Sequence, residues 1–177
     1  TAPFYPLTMA HLVTDRYIAN TLIMLGRLWL CGLTAYLCAR KLGLRVSAAR
    51  FFSIAFMANG YVITWYYWPE PGVIAWLPIL FLGTEMIVRQ EFWRAGCTMA
   101  LGSVLGLFVV LPEGAFGIGM GSGVYFLVRL ALGERGKSRR IVACAGTAAG
   151  AWTVALAVTS PQWVPFLQYL GQLNTFF

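Results

Sequence analysis

The chain has 177 residues, of which 59% are hydrophobic and 11% charged, and its mean hydropathy is +0.72. A soluble domain carries about 25% charged residues, and a soluble core of this size could not bury so much apolar surface, so lipid is favoured as the solvent. A net charge of +7 is compatible with a nucleic-acid partner, but the cations flank apolar stretches and form no basic face. This arrangement argues against a nucleic-acid-binding protein.

Both ends of the chain have the composition of loops, and the first residue is Thr1 rather than an initiator Met. No signal peptide precedes the first apolar segment. We therefore interpret residues 1–177 as a fragment of one transmembrane domain that belongs to a larger protein.

Six apolar segments are long enough, or nearly so, to cross a hydrocarbon core, which takes about 20 helical residues. In chain order they cover residues 17–38, 49–66, 73–88, 95–111, 115–132 and 141–159. The sequence thus predicts an all-α transmembrane bundle of about six spans. Only residues 112–114 join the fourth and fifth segments, which predicts either a tight turn between two spans or one broken helix.

Eleven of the 13 Lys and Arg residues fall in three patches, which lie between these segments or near their ends. The patches are Arg40, Lys41, Arg45 and Arg50; Arg89 and Arg94; and Arg129, Arg135, Lys137, Arg139 and Arg140. Clustered cations in short loops are typical of the cytoplasmic side of a membrane protein, and they suit anionic lipid headgroups. We expect loops 40–48, 89–94 and 133–140 inside, and loops 67–72 and 112–114 outside with both chain ends.

Arg27 is the one cation near the middle of an apolar segment, the first. A charge at bilayer depth costs about 2.5 kcal/mol or more on insertion scales, so Arg27 should face protein, water or an anionic ligand. It is a candidate for binding a lipid phosphate or a pyrophosphate. The alternatives are an ion pair within the protein, or a side chain that extends to the interface.

Glu113, in LPEGAF, lies at the outer end of a predicted helix pair. A carboxylate there can act as a base or bind a metal or a sugar hydroxyl. Glu70, in WPEP, has the same candidate roles. A solvated loop acid is the simpler alternative for both, and the sequence leaves open whether a divalent metal takes part.

Gln162, in SPQWVPF, is a candidate substrate contact at the outer end of the sixth segment, or else a cap of that helix. Pro161 and Pro165 are expected to stop the helix there. His11, the only histidine, is expected near the outer surface as a candidate for substrate binding or proton transfer. The cysteines have no CxxC spacing, so we predict no metal site.

Local spacing suggests several packing features. The pairs Gly102–Gly106 and Gly146–Gly150 should let helix backbones approach closely. Glu85 and Arg89 have the i,i+4 spacing of a structural ion pair. Asn59-Gly60 and Pro78 are expected to mark packing sites and a kink.

Five stretches, in this order, resemble the YfhO family of bacterial membrane proteins, which have a GT-C type glycosyltransferase architecture. The stretches are TAPFYPLTMAHLV, GLTAYLCARKLGLRVSAARFFSIAFMANGYV, WLPILFLGTEM, LPEGAF and SPQWVPFLQYL. LPEGAF is similar to a Gly-His-Pro-Glu/Gln type turn of the family, but Leu111 stands where a His is often found.

The resemblance implies a transferase of the bacterial plasma membrane that takes a sugar from a polyprenyl-phosphate donor. The acceptor would be a cell-envelope glycan or glycolipid at the outer face. The main catalytic Asp or Glu of such enzymes lies in the large first outer loop, just after the first helix. Residues 1–7 resemble the end of that loop. The resemblance therefore places this carboxylate upstream of Thr1, and Asp15 does not match its position. A transporter or lipid flippase is the alternative, and a non-catalytic membrane scaffold is a third.

Overall fold

The computed structural model describes residues 6–64, 71–109, 112–133 and 138–173, and all elements in these ranges are helical. A 3₁₀ helix, Pro6–Leu12, comes first. The α-helices that follow are α1 Arg16–Lys41, α2 Val46–Met57, α3 Gly60–Thr64, α4 Pro71–Ile74, α5 Leu77–Val88, α6 Phe92–Val109, α7 Pro112–Gly133 and α8 Ser138–Leu173. The all-α prediction is confirmed for the described residues.

Four stretches are long and apolar enough to cross a membrane: Arg16–Lys41, Val46–Thr64, Phe92–Val109 and Arg140–Pro165. Gly72–Val88 and Phe116–Leu132 are apolar but shorter. Each of the six predicted segments therefore coincides with helix, although only four reach spanning length. Large apolar side chains cover much of the outer surface, including Trp29, Phe51 and Val142, which are 63%, 75% and 68% exposed. Such a surface suits a hydrocarbon solvent.

Helices α1, α5, α6 and α8 pack side by side, with α2 against α1 and α7 against α5. The core at one end contains Val73, Trp76, Leu80, Val109 and Ile118. A second core, nearer the opposite ends of α5 and α6, contains Ile87, Ala95, Met99, Cys144 and Ala151.

Gly102 lets α6 approach α5 closely and Gly106 lets it approach α7, as the spacing of the two glycines predicts. A Cβ on Gly102 would lie 2.7 Å from Ile79 Cγ2, and one on Gly106 would lie 3.3 Å from Ile118 Cδ1. The prediction is wrong for Gly146 and Gly150, because a Cβ on either would meet no described atom within 4 Å. Those two glycines line a groove instead of a helix contact.

The second predicted span is interrupted at Asn59, where α2 ends and α3 begins. The Asn59 amide donates to the Phe56 carbonyl (2.5 Å), and its Oδ1 accepts from the Val62 backbone N–H (3.0 Å). One side chain thus satisfies a carbonyl of α2 and caps the start of α3. The sequence predicted a packing site here, but the structure has a helix break instead, and a Cβ on Gly60 would meet no described atom within 4 Å.

The third span is broken between α4 and α5. Pro78 has no N–H to give the Ile74 carbonyl, and its ring would clash with that carbonyl in a continuous helix. The break leaves the Ala75 carbonyl available to another donor, and Thr34 Oγ1 on α1 lies 2.7 Å from it. Pro78 therefore marks a break, as predicted, and the break also joins this segment to α1.

The prediction that Pro161 and Pro165 end the sixth helix is wrong, because both lie inside the continuous helix α8. Pro161 cannot donate to the Ala157 carbonyl, but Ser160 Oγ donates to it over 2.8 Å. Hydroxyl side chains can replace backbone donors lost at a proline in this way. Gln162 consequently lies within a helix and does not cap one.

The α5–α6 contact can be tested with Gly102→Leu. We expect it to destabilise the fold by about 1–3 kcal/mol, because the added side chain overlaps Ile79. Denaturant titration of the purified protein measures the change. Gly117→Leu is the matched control, because a Cβ there meets no described atom within 4 Å. Equal stability of the two variants would contradict this packing.

Candidate functional site

Among the described residues, the three cationic patches meet at one end of the bundle, which we call the cationic end: the last turns of α1, α5 and α7 and the first turns of α6 and α8. Lys41 Nζ lies 2.6 Å from Glu91 Oε1, and Arg89 Nη2 donates to the Lys41 carbonyl over 2.6 Å. With the Gln90 amide oriented so that its oxygen faces Arg140, that oxygen accepts from Nη2 (2.6 Å) and Nε. These contacts join α1, the α5–α6 turn and α8.

The Lys41–Glu91 pair is partly exposed, with 19% and 31% of the two side chains accessible. The hydrogen bond from the Lys41 ammonium holds the pKa of Glu91 below its ordinary value. The carboxylate therefore stays ionised at neutral pH and removes part of the positive charge at this end.

A buried ionic cluster lies between α5 and α7. Glu85 is 2% exposed, and its Oε1 accepts from Tyr125 Oη (2.7 Å) and Arg129 Nε (2.5 Å), while its Oε2 accepts from Arg129 Nη2 (2.7 Å). The guanidinium thus binds the carboxylate in a bidentate manner, which is the strongest geometry for such a pair. The cluster is fully hydrogen-bonded at the carboxylate, which is typical of a structural ion pair.

The i,i+4 spacing predicted an ion pair between Glu85 and Arg89, but the structure pairs Glu85 with Arg129. The signal was present, because Arg129 stands inside an apolar run and a charge there needs a partner. Tyr125 and Arg129 are also spaced i,i+4, which puts them on one face of α7. Arg89 instead donates to the Lys41 carbonyl.

The ion pair can be tested with Arg129→Met. We expect a loss of about 3 kcal/mol in the free energy of unfolding, because the Glu85 carboxylate is left buried without its counter-charge. Tyr125→Phe should cost about 1 kcal/mol. Denaturant titration measures both, with Arg94→Met as the control because the exposed Arg94 makes no salt bridge to a described residue. An Arg129→Met protein as stable as this control would refute the role of the pair.

Arg27, on α1, lies beside the end of α4 and α6 that is opposite the cationic end. Its Nε is buried and lies 3.5 Å from the position of a Cβ on Gly72, at the start of α4. That Cβ would also lie 2.7 Å from Val109 Cγ1, near the end of α6. On the other side, Leu7 of the 3₁₀ helix packs against Gly26. Arg27 thus lies beside the start of α4, and the 3₁₀ helix and the end of α6 pack against its neighbours Gly26 and Gly72.

The depth of Arg27 follows from the helical rise. It is 14 residues from Lys41, which corresponds to about 21 Å along α1. If Lys41 marks one boundary of a hydrocarbon layer about 30 Å thick, Arg27 lies about two thirds of the way across. An arginine side chain at that depth can extend its guanidinium toward the far interface.

The remaining candidate residues lie on separate elements. Gln162 is on α8, its Oε1 is buried, and it accepts no hydrogen bond from the described residues. Gly96 on α6 lies beside Thr147 on α8, and the two helices run in the same direction. Val109 on α6 and Gln162 on α8 both lie about 20 Å beyond that contact, and therefore at a similar level. His11 is exposed on the 3₁₀ helix. Since α1 and α8 lie on either side of α5 and α6, Arg27 and Gln162 share a level of the bundle but occupy different flanks.

The two candidate carboxylates are described only in part. Glu70 lies outside the described residues, and Glu113 belongs to the first turn of α7, with its side chain outside the description. Residues 112–114 are therefore helical, and the connection from α6 falls at residues 110–111, which are not described.

No group of three His, Cys, Asp or Glu side chains with the geometry of a metal site occurs among the described residues. Cys31, Cys38 and Cys144 are buried and Cys97 is exposed. The buried thiols occupy core positions as small apolar groups.

Comparisons with protein-family models, curated proteins and solved structures found no match to this chain. The resemblance to the YfhO family therefore stays a prediction.

Proposed function

We propose that the chain is part of an integral membrane glycosyltransferase of GT-C type, which transfers a sugar from a polyprenyl-phosphate donor to a cell-envelope acceptor on the outer face of the bacterial plasma membrane. The proposal starts from the resemblance of the five stretches named above. The observation that carries it is the position of Arg27, a partly buried cation near the middle of a long apolar helix and about 21 Å along that helix from Lys41.

Arg27 is suited to a lipid-linked phosphate. Its guanidinium offers a permanent charge and a planar set of donors that match phosphate oxygens. A donor with its polyprenyl chain in hydrocarbon would present the phosphate near the interface, where an arginine at this depth can reach it. A larger residue at Gly72 would press on the surroundings of the guanidinium, since a Cβ there would lie 2.7 Å from Val109 Cγ1 and 3.5 Å from Arg27 Nε.

Sugar transfer also requires a base to activate the acceptor hydroxyl, and stabilisation of the departing phosphate. Arg27 would supply the second of these. Glu113 and Glu70 are proposed as accessory groups, with Gln162 and His11 as contacts to the sugar or acceptor. The principal catalytic carboxylate is proposed to lie upstream of Thr1, in a part of the protein beyond this chain.

A transporter or lipid flippase is the second candidate, and the helix breaks favour it. Transport proteins often bind substrates at discontinuous helices, and both α2–α3 and α4–α5 are interrupted. The two candidates differ in the chemistry of the product. A flippase returns the lipid-linked sugar intact, whereas a transferase moves the sugar to an acceptor hydroxyl.

Replacement of Arg27 by Leu in the full-length protein tests the phosphate role. We expect donor binding to weaken by about 10- to 100-fold, because a charge-assisted contact is worth about 1.5–3 kcal/mol. Arg27→Lys should lose less, since it keeps the charge without the planar fork. Binding of a polyprenyl-phosphate sugar to detergent-solubilised protein gives the comparison, with Arg50→Leu as the control for an exposed cation at the cationic end.

Two results would count against the proposal. Unchanged donor binding in a folded Arg27→Leu protein would remove the phosphate role of Arg27. Solute or lipid movement across vesicles, without sugar transfer from any donor in a panel, would favour the transporter.

A further inference from the structure

An open apolar groove runs between α6 and α8 and has a volume of about 580 Å³. This lies within the range of about 300–1,000 Å³ that is usual for ligand pockets. Phe92, Trp93, Gly96 and Ala100 line it on α6, and Gly146 and Gly150 line it on α8. The two glycines create the space, since a Cβ on either meets no described atom within 4 Å.

The groove begins at the cationic end and stops partway along the helices. Its lining extends from Phe92 to Ala100 on α6 and from Gly146 to Val154 on α8, which is about 12 Å in each case. A hydrocarbon layer of about 30 Å consists of two leaflets of about 15 Å each. The groove therefore matches the chain region of one leaflet and is much shorter than the contact that a spanning helix would make.

The entrance of the groove carries an aromatic ring and a cation. Trp93 is 84% exposed, as an indole at a membrane interface would be. Arg94 is exposed one turn from the groove residue Cys97 and makes no salt bridge to a described residue. The nearby acid Glu91 is already bound to Lys41. Arg94 does not line the groove, but it places an exposed positive charge next to Trp93, at the end of a largely apolar lining.

We propose that this groove binds an acyl chain of an anionic phospholipid from the leaflet at the cationic end, with the lipid phosphate at Arg94. The charge of Arg94 favours an anionic headgroup, and the absence of side chains at the two glycines leaves space for the acyl chain. The site is separate from Arg27, and it requires only that the chain lies in a bilayer. Loss of sugar transfer would leave it unaffected.

The experiment uses the full-length protein in phosphatidylcholine vesicles that contain a small share of phospholipid with a photoactivatable acyl chain. Phosphatidylglycerol and phosphatidylcholine probes are compared, and mass spectrometry measures the crosslinks on residues 92–100 and 146–154. We expect about fivefold more crosslinking with the anionic probe, which is the preference that one interfacial cation provides.

Two pairs of variants distinguish the contribution of the lipid acyl chain from that of the lipid headgroup. Gly150→Leu fills the groove and should reduce crosslinking by both probes, whereas Gly117→Leu, which also adds a side chain in open space, should leave it unchanged. Arg94→Gln should abolish the anionic preference, whereas Arg50→Gln, at an exposed cation on α2, should preserve it.

Three outcomes would overturn the inference. Equal crosslinking by the two probes in the unmodified protein would remove the headgroup contact. Absence of crosslinks from the groove would mean that another part of the full-length protein covers it. Crosslinks that disappear as the protein-to-lipid ratio rises would mean that a second copy covers it.

Discussion

Backbone polar groups among apolar side chains must find partners inside the protein, and this constraint explains how the irregular parts of the bundle hold together. Asn59 serves both sides of the break between α2 and α3. Thr34 reaches the carbonyl exposed between α4 and α5, and Ser160 replaces the donor that Pro161 lacks in α8. Because these partners exist, two spans can be broken while α8 continues past its prolines to Leu173.

Charged side chains inside the bundle also need partners, because an unpaired buried charge costs more free energy than an unpaired neutral polar group. Glu85 is almost fully buried and is bound on both oxygens by Arg129, so α5 and α7 are held in one register. At the cationic end the pairs are more exposed, and they connect elements that the sequence separates by long apolar stretches. The buried pair contributes to stability mainly through the cost of breaking it, whereas exposed pairs contribute little.

The two ends of the packed helices α4, α5 and α6 carry different side chains. The cationic end holds most of the positive charge and the entrance of the α6–α8 groove. The opposite end holds Arg27 beside Gly72, with Gln162 at a similar level on α8. A lipid-linked phosphate suits the second end, and a structural phospholipid suits the first. The two arginines differ in their surroundings, since Arg27 is partly buried beside Gly72 and Arg94 is exposed near the groove.

Composition, the six apolar segments and the three cationic patches predicted the all-α fold and the convergence of the patches, because hydropathy and charge are properties of the linear chain. The close packing at Gly102 and Gly106 and the break at Pro78 were also predicted, since each depends on local chemistry, whereas the helix break at Asn59 replaces the packing site that the sequence predicted. The Glu85–Arg129 pair joins residues 44 positions apart, and only the packing of α5 on α7 selects Arg129 over the neighbouring Arg89. Tertiary structure likewise decided that α8 continues through Pro161 and that Gly146 and Gly150 line a groove, because the space around a residue is set by the helices that pack beside it.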